Sequence, residues 1–452
     1  EKGYTPETVL YDVQTQFERG GGKPYSPSDY DHKERGLVTI RTALQGSLNI
    51  PAVKTLWLVG INNQIDFAKR FGYTTLNGDD CQLSMVLGGC LVNPLEHANA
   101  YATLANNGVY HQPVSILKVS DANNKTLFEW KPTDGTEAVK PELAATISNV
   151  LSDNNARAYI FGAANNLTLP DRPVATKTGT TNNTKDTWTM GYVPSLAAGV
   201  WVGNSDGTPM NGTSNKLAAV IWNQFMRAAL ASTTPEKFPA PPANDATKPV
   251  LRGSDGGIKL SVDKLTGKIA TSSTPDDLIE ERTYLPPHDI LYYVNRDDPR
   301  GPAPANPSSD PQYQAWESAL LSWQERMNAK GETVSFEEPP TEYDTPQSAE
   351  LIPTLNVITP SDGATLINRD ITIQATASSP RGVSQVLYYL DGISIGTVTS
   401  YPFNLSYYAQ KLAKGEHVLR VIARDDMGNS AVKEIHFTMA AEFDPASFDW
   451  FD

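Results

Sequence analysis

Cysteine is almost absent: Cys81 and Cys90 are the only two in 452 residues. Their spacing excludes a zinc site of the Cys-x-x-Cys type. Two buried thiols fit the pair, and so does a single disulfide, which an exported protein permits. Neither is an obvious nucleophile, since no histidine or basic cluster stands beside either in sequence to lower a thiol pKa. Positive charge is also scarce. The chain has 37 Lys and Arg against 51 Asp and Glu, for a net charge of −14. That excludes the basic footprint of a nucleic-acid partner and leaves no polybasic patch for a membrane surface. No apolar run approaches the roughly 20 residues of a membrane-spanning helix, and no signal-peptide pattern is visible. Histidines number six. His97 and His111 read as surface or packing residues rather than metal ligands.

Turn-forming residues are abundant, with 33 prolines and 32 glycines. The length predicts two to three domains, and this composition suits long connectors between them. Residues 1–38 are polar and turn-rich, with Gly20-Gly21-Gly22 and Ser26-Pro27-Ser28, and read as a loop crossing the first domain. Ile40, Ala43 and Leu44 share one face of a helix over 39–46. Ser47-Leu48-Asn49 breaks it, and Asn49 is suited to cap a second helix with Ile50 and Pro51 in its first turn. Further helices are predicted over 63–70, from Asn93-Pro94-Leu95-Glu96 to Gly108, over 141–149 and over 218–231. Residues 109–130 alternate around Asp121-Ala122-Asn123-Asn124 and read as a hairpin. Three antiparallel strands are expected over 174–181, 187–192 and 197–202. Trp188 and Trp201 should pack on that sheet, with the 218–231 helix buried against it.

The character changes at Ser232. Residues 233–350 read as a linker region, proline-rich at its start and over 301–311, and acidic over 331–350. It holds a small hairpin over 259–269, turning at Leu265-Thr266-Gly267. It also holds one amphipathic helix over 313–330, with Trp316, Leu320 and Trp323 on a face. Residues 351–440 are an all-β unit: alternation is clear in Ile371–Ala377 and His417–Arg424, with turns at Asp362-Gly363, Asp391-Gly392 and Met427-Gly428-Asn429. This unit resembles bacterial immunoglobulin-like domains and has no cysteine pair. The tail, 441–452, is acidic with Phe443, Phe448, Trp450 and Phe451, and reads as a docking segment or a frayed end.

The stretch that carries chemistry is Lys177-Thr178-Gly179-Thr180, on the first of the three strands. Alternate residues of a strand face the same side, so Lys177 and Gly179 share one face and Thr178 and Thr180 the other. Gly179 lets a substrate backbone approach, and the ammonium and hydroxyls can grip a carboxylate. A strand edge with a surface lysine carries the same four residues, so the tetrapeptide needs a second piece. That piece is Ser47-Leu48-Asn49. Ser-x-Asn followed far downstream by Lys-Thr-Gly is a pairing of penicillin-binding proteins and class A β-lactamases. Three runs of surrounding text match in order: Arg41-Thr42-Ala43-Leu44 to Val53-Lys54, Leu87-Gly88-Gly89 to Asn107-Gly108, and Lys177 to Gly203. Together they resemble the transpeptidase domain of class A penicillin-binding proteins over roughly the first half of the chain.

The resemblance implies an α/β (α+β) transpeptidase fold over 1–232, an antiparallel sheet flanked by helices, with the immunoglobulin-like sandwich at the C-terminal end. It implies a D,D-transpeptidase. A serine attacks the D-Ala-D-Ala amide of a peptidoglycan stem peptide, D-alanine leaves, and a second stem's amine takes the acyl group, each step through an oxyanion. Carried over by motif, Ser47 relays a proton to the leaving amine, Asn49 hydrogen-bonds the substrate's side-chain amide, and Lys177 polarises Ser47. Thr178, Gly179 and Thr180 line the place of the terminal carboxylate, and the Thr180 N–H is one oxyanion donor. β-Lactams are implied as acylating inhibitors, with no cofactor and no metal. The immunoglobulin-like unit is a candidate contact to peptidoglycan or to cell-wall synthesis proteins. The resemblance further implies a location outside the cytoplasmic membrane, with an anchor and a glycosyltransferase domain upstream.

One part of the family's pattern is not here. Its nucleophile lies in Ser-x-x-Lys, upstream of Ser-x-Asn and at the start of a buried helix. The one match, Ser115-Ile116-Leu117-Lys118, lies downstream of Ser47 in a segment that reads as a strand, and is rejected on context. The nucleophilic serine is therefore expected outside these residues, and this chain alone is expected to be inactive. A D,D-carboxypeptidase or a β-lactamase uses the same motifs. The longer text, including Asp186 and Trp188, favours the synthase over both. A non-enzymatic β-lactam sensor and a wall-binding or adhesion protein are the readings from other classes.

Overall fold

The computed structural model describes residues 1–18, 23–78, 81–264, 266–272, 274, 276–344, 351–410 and 412–440. The expected glycine-rich turn at 20–22 and the aromatic tail of 441–452 lie outside the described residues. The chain forms two compact units, Glu1–Gly257 with Leu285–Glu337, and Ile258–Tyr284 with Glu338–Asp452.

The first unit opens with strand β1 (Val9–Asp12), paired antiparallel with β2 (Gly36–Thr39). This corrects the reading of 1–38 as a loop. Val9, Leu10 and Tyr11 are all buried, and a strand with no exposed face shows no alternation to read. Helix α1 (Ile40–Gly46) is capped by the Thr39 hydroxyl, which accepts from the Thr42 N–H at 3.1 Å. Helices α2 (Asn49–Val59) and α3 (Ile61–Arg70) follow, then α4 (Pro94–Ala105), started by the Asn93 side chain. Cys81 and Cys90 form a disulfide within the α3–α4 connection. The expected 109–130 hairpin is divided. Strand β3 (Val109–Tyr110) pairs with β6 (Thr136–Glu137), and only β4 (Lys118–Ser120) and β5 (Thr126–Glu129) form the hairpin proper.

Helices α5 (Pro141–Ser152) and α6 (Asn154–Phe161) lead into the antiparallel sheet β7 (Ala175–Thr180), β8 (Asp186–Val193) and β9 (Leu196–Gly203), in that spatial order. Helix α7 (Ala218–Ala229) lies on one face of the sheet through Trp222 and Met226. Gly191 is required beneath it, because a Cβ there would come within 2.3 Å of the Trp222 ring. Only one side of α7 is buried, against expectation: Ile221 and Phe225 are each 51% exposed. Helix α4 packs on the other face, beside Met190 and Gly199. His97 of α4 is a packing residue, edge-on to Tyr101 and Trp188 and hydrogen-bonded through Nδ1 to the Tyr73 hydroxyl at 2.6 Å. Burial lowers its pKa.

Residues 233–350 are not a linker throughout. Helices α8 (Ile290–Tyr293) and α9 (Tyr313–Ala329) belong to the first unit. Leu251, Ile290, Leu291 and Trp316 share a hydrophobic cluster with Val9, Leu10, Val53 and Leu56. Even the proline-rich stretch lies against the unit, with Phe238 packed on Tyr192 at 5.5 Å between ring centroids. Proline content marks a chain without regular structure; it does not say whether that chain leaves the domain.

The second unit holds β10 (Ile258–Asp263), which meets the expected return of the 259–269 hairpin only in a bridge from Val262 to Ile269 and makes its longer pairing with β11 (Ile279–Tyr284). Its larger part is a sandwich built from β12 (Thr354–Thr359), β13 (Ala364–Leu366), β14 (Asp370–Ser378), β15 (Gln385–Leu390), β16 (Ile393–Val398), β17 (Phe403–Tyr408), β18 (Gly415–Arg424) and β19 (Ser430–Met439). One sheet has the order β12-β14-β17 and the other β13-β19-β18-β15-β16. Alternate residues meet in the core, Ile371, Ile373 and Ala375 from one sheet and Val386, Tyr388 and Leu390 from the other. Among the described residues, no helix is long and apolar enough to cross a membrane, and no group of three His, Cys, Asp or Glu side chains could hold a metal ion.

Candidate active site

The site begins at the end of α1. Ser47 closes that helix in the left-handed conformation, φ 56° and ψ 40°, and the Leu48 N–H reaches back to Ala43 O at 3.0 Å. A non-glycine residue held there costs about 1–2 kcal/mol, so the surroundings must impose it. Gly46 makes room for Tyr159: a Cβ would stand 1.7 Å from its hydroxyl, which donates to Thr42 O at 3.0 Å, and would displace it. Gln45 is buried and ties α1 to the end of α5, donating to Val150 O at 2.5 Å and Asp153 O at 3.0 Å. Helix α5 in turn packs on β7. That chain of contacts brings the Ser47 turn to the strand that carries Lys177.

Lys177 Nζ donates to Ser47 Oγ at 2.7 Å and to Thr178 O at 2.7 Å. Along β7, Thr176 and Thr178 are buried while Lys177 and Gly179 face the other way. Burial, with repulsion from Arg157 added, brings the Lys177 pKa down to about 8. A strand in the middle of a sheet has both edges paired, but β7 is an outer strand. Thr181 N–H bonds Asp186 O at 3.0 Å. In an antiparallel ladder the preceding pair, Thr180 with Thr187, is then the non-hydrogen-bonded kind, which turns the Thr180 N–H toward the free edge. The Thr180 hydroxyl donates to Ser214 Oγ at 3.1 Å. Ser214 lies in a polar loop with no periodicity and was not legible in the sequence.

Gly179 is not required by the fold. A Cβ there would find Trp188 Cβ at 3.6 Å, an ordinary contact, and nothing nearer. Alanine at 179 is therefore expected to leave the thermal midpoint unchanged or slightly raised. It is expected to slow β-lactam acylation at least about tenfold in a protein that includes the nucleophile, by filling the ligand's space. Labelling of Gly179→Ala at the parent rate would show that no ligand backbone passes over this position.

Asn49 departs from expectation. It is the first residue of α2, not its cap; Leu48 holds that position and makes no side-chain cap. Pro51 offers no N–H for a capping side chain to take. The carboxylate of Asp29 caps the helix instead, accepting from the Asn49 N–H at 2.6 Å and the Ile50 N–H at 3.4 Å. The Asn49 side-chain amide donates to Ser28 O at 2.7 Å. Asp29 sits in a buried acidic pair with Asp12, bridged by Arg35 at 3.0 Å to Asp29 and 3.6 Å to Asp12. Burial, then the nearby Asp29 carboxylate, pushes the Asp12 pKa up to about 8.

This pair gives a pH dependence of known sign. The folded chain keeps the Asp12 proton to about pH 8, whereas the unfolded chain releases it near pH 4. The folded state binds more protons between those limits, so this pair lowers stability as pH rises through them. Asp12→Asn, neutral throughout, is expected to flatten that decline and to melt above the parent at about pH 8. Thermal melts across pH check it, and parallel curves for parent and variant would exclude the carboxyl as the cause.

Residues 7–227 match the family described as the penicillin binding protein transpeptidase domain, and residues 353–421 match the bacterial Ig domain. The first is thus a transpeptidase domain of the class A penicillin-binding type, and the second a bacterial Ig domain. Among particular relatives, the chain is similar to penicillin-binding protein 2D of Bacillus subtilis, 34% identical over 251 residues, 53% of this chain and 35% of the relative. It is also similar to penicillin-binding protein 1A of Aquifex aeolicus, 33% identical over 249 residues, 54% of this chain and 33% of the relative. It therefore spans about a third of the length of the curated relatives it matches. The solved structure of penicillin-binding protein PonA1 from Mycobacterium tuberculosis is 26% identical with a TM-score of 0.48, covering 54% of this chain and 68% of that one.

Proposed function

We propose that this chain carries most of the active site of a peptidoglycan D,D-transpeptidase, acting through a serine acyl-enzyme and inhibited by β-lactams. The observation that carries the reading is the 2.7 Å contact from Lys177 Nζ to Ser47 Oγ, between motifs 130 positions apart. A serine hydroxyl is a poor acid and a poor base alone. Beside an amine of lowered pKa it can take a proton on one side and give one on the other. Ser47 then passes a proton to the departing D-alanine amine, and later takes one from the incoming stem amine. Lys177 supplies the positive potential for the stem's terminal carboxylate, with Thr178, Gly179 and Thr180 along the same strand. The Thr180 N–H, turned to the free edge, is suited to an oxyanion. Asn49 bonds the substrate amide once its side chain leaves Ser28 O.

The nucleophile is a serine outside these residues. Ser115 of the rejected Ser-x-x-Lys match is exposed in the turn before β4, not at a helix start. The Cys81–Cys90 disulfide supports an oxidising, outward-facing compartment. Fluorescent penicillin tests the reading. The 452 residues alone are expected to stay unlabelled, and a polypeptide that adds a Ser-x-x-Lys segment is expected to label at that serine. Absence of labelling in the longer protein, correctly folded, would overturn the function.

A further inference from the structure

We propose that Arg157 is a positioning residue of this site: lodged beneath β7 with no carboxylate hydrogen-bonded to it, its guanidinium anchors the Thr176-Lys177 step and sets how readily Lys177 releases its proton to the Ser47 relay. The inference rests on the function proposed above and deepens it. Arg157 is among the largest fully buried side chains of the chain. Its partners are all uncharged: Leu151 O, the Thr176 hydroxyl and, at 3.4 Å, Leu167 O. Its Nε has no hydrogen-bond partner among the described residues. Asp153 acts on it only at a distance, its carboxylate being hydrogen-bonded to the Ala156 N–H at 3.0 Å and to Arg41 at 3.4 Å. An arginine buried with no carboxylate bonded to it is a poor choice for stability alone, since a desolvated cation is then only partly compensated.

Across the strand from that charge lies a second cation, Lys177, one residue along from Thr176. Lys177 has a hydroxyl and a carbonyl as partners, and no ion pair among the described residues. The charged groups on the elements around it are few. Arg41, the only one on α1, is paired with Glu7 and Asp153. Glu142, the only one on α5, is exposed in the first turn. Asp186, the only one on β8, is held by Trp201 and Thr181. Tyr192 on β8 is held by Ser148; on α4, Glu96 accepts from the Thr74 N–H and hydroxyl, while burial raises the Tyr101 pKa and lowers that of His97. Among the described residues, the charge that bears on Lys177 is that of Arg157. Thr176 fixes the guanidinium one residue away on the opposite face of the strand.

The test reads Lys177 directly and needs no turnover, so it can fail while the function stands. In the 452-residue chain labelled with 13C-lysine, the Lys177 Cε resonance is assigned by its loss in Lys177→Arg and followed against pH. In the parent it is expected to titrate near pH 8. Arg157→Met and Arg157→Gln are expected to raise that midpoint by about one pH unit, and Arg157→Lys to keep it near the parent. An unmoved midpoint in either folded neutral variant overturns the proposal. So does a failure of both neutral variants to fold, which would make the residue purely structural.

Discussion

With Lys177 replaced by alanine, β-lactam acylation is expected to slow by about 10³-fold in a protein that contains the nucleophile, within the range for loss of a positioned acid–base group. The hydroxyl of Ser47 survives the change, but its 2.7 Å partner does not. A further Ser47→Ala change on this background should add little, because residues that act as a unit are not additive. Stability should move the other way or not at all. Lys177 is a desolvated cation repelled by Arg157 and, among the described residues, without an ion pair, so its removal relieves the fold, a conflict between stability and activity common at working sites. Stopped-flow or gel-based labelling with fluorescent penicillin, beside thermal melts, measures both. Labelling of the alanine variant at the parent rate would refute the role given to this lysine.

The parts of this site that a reader of the sequence can find are those with local pattern or motif. The three strands of 175–203 announce themselves by alternation and by small residues where helices press on them, such as Gly191 under Trp222. Ser47 and Lys177 are found through the two motifs, and their contact follows from the resemblance they carry. The residues that hold them are invisible, for a physical reason. Asp29 caps a helix that starts 20 residues later, and Arg157 serves a strand 19 residues on. A side chain that meets its partner across a tertiary fold leaves no period in the chain. The same applies to β1, whose burial on every side erases the alternation that would reveal it. Asn49 shows the opposite error, a residue with the right chemistry for a cap displaced by a distant carboxylate that does it better.

Removing either member of the Lys54–Asp289 pair is expected to destabilise the first unit by about 3–5 kcal/mol, the usual loss when a buried charge is left alone. Both side chains are wholly buried, with Nζ 2.5 Å from Oδ2. Lys54 also donates to Tyr11 O at 2.9 Å and stands 4.9 Å from the centre of the Trp316 ring. Asp289 caps α8, accepting from the Ile290 N–H at 2.7 Å. Lys54→Ala or Asp289→Ala should lower the melting temperature by roughly 10 °C for a unit of this size. The double change Lys54→Met with Asp289→Leu should recover most of the loss, since an apolar pair of similar volume removes two desolvation costs together. The contact spans 235 positions and enters the region that composition marks as a linker. A chain ended at 257 loses Asp289 and Trp316 at once and leaves the Lys54 ammonium buried with a carbonyl alone. It is expected to melt well below the full chain. If that shorter chain melts at the same temperature, the segment from 285 to 337 is ornament to the transpeptidase unit; if it does not, the unit reaches to Glu337, far beyond the last catalytic motif at Lys177–Thr180.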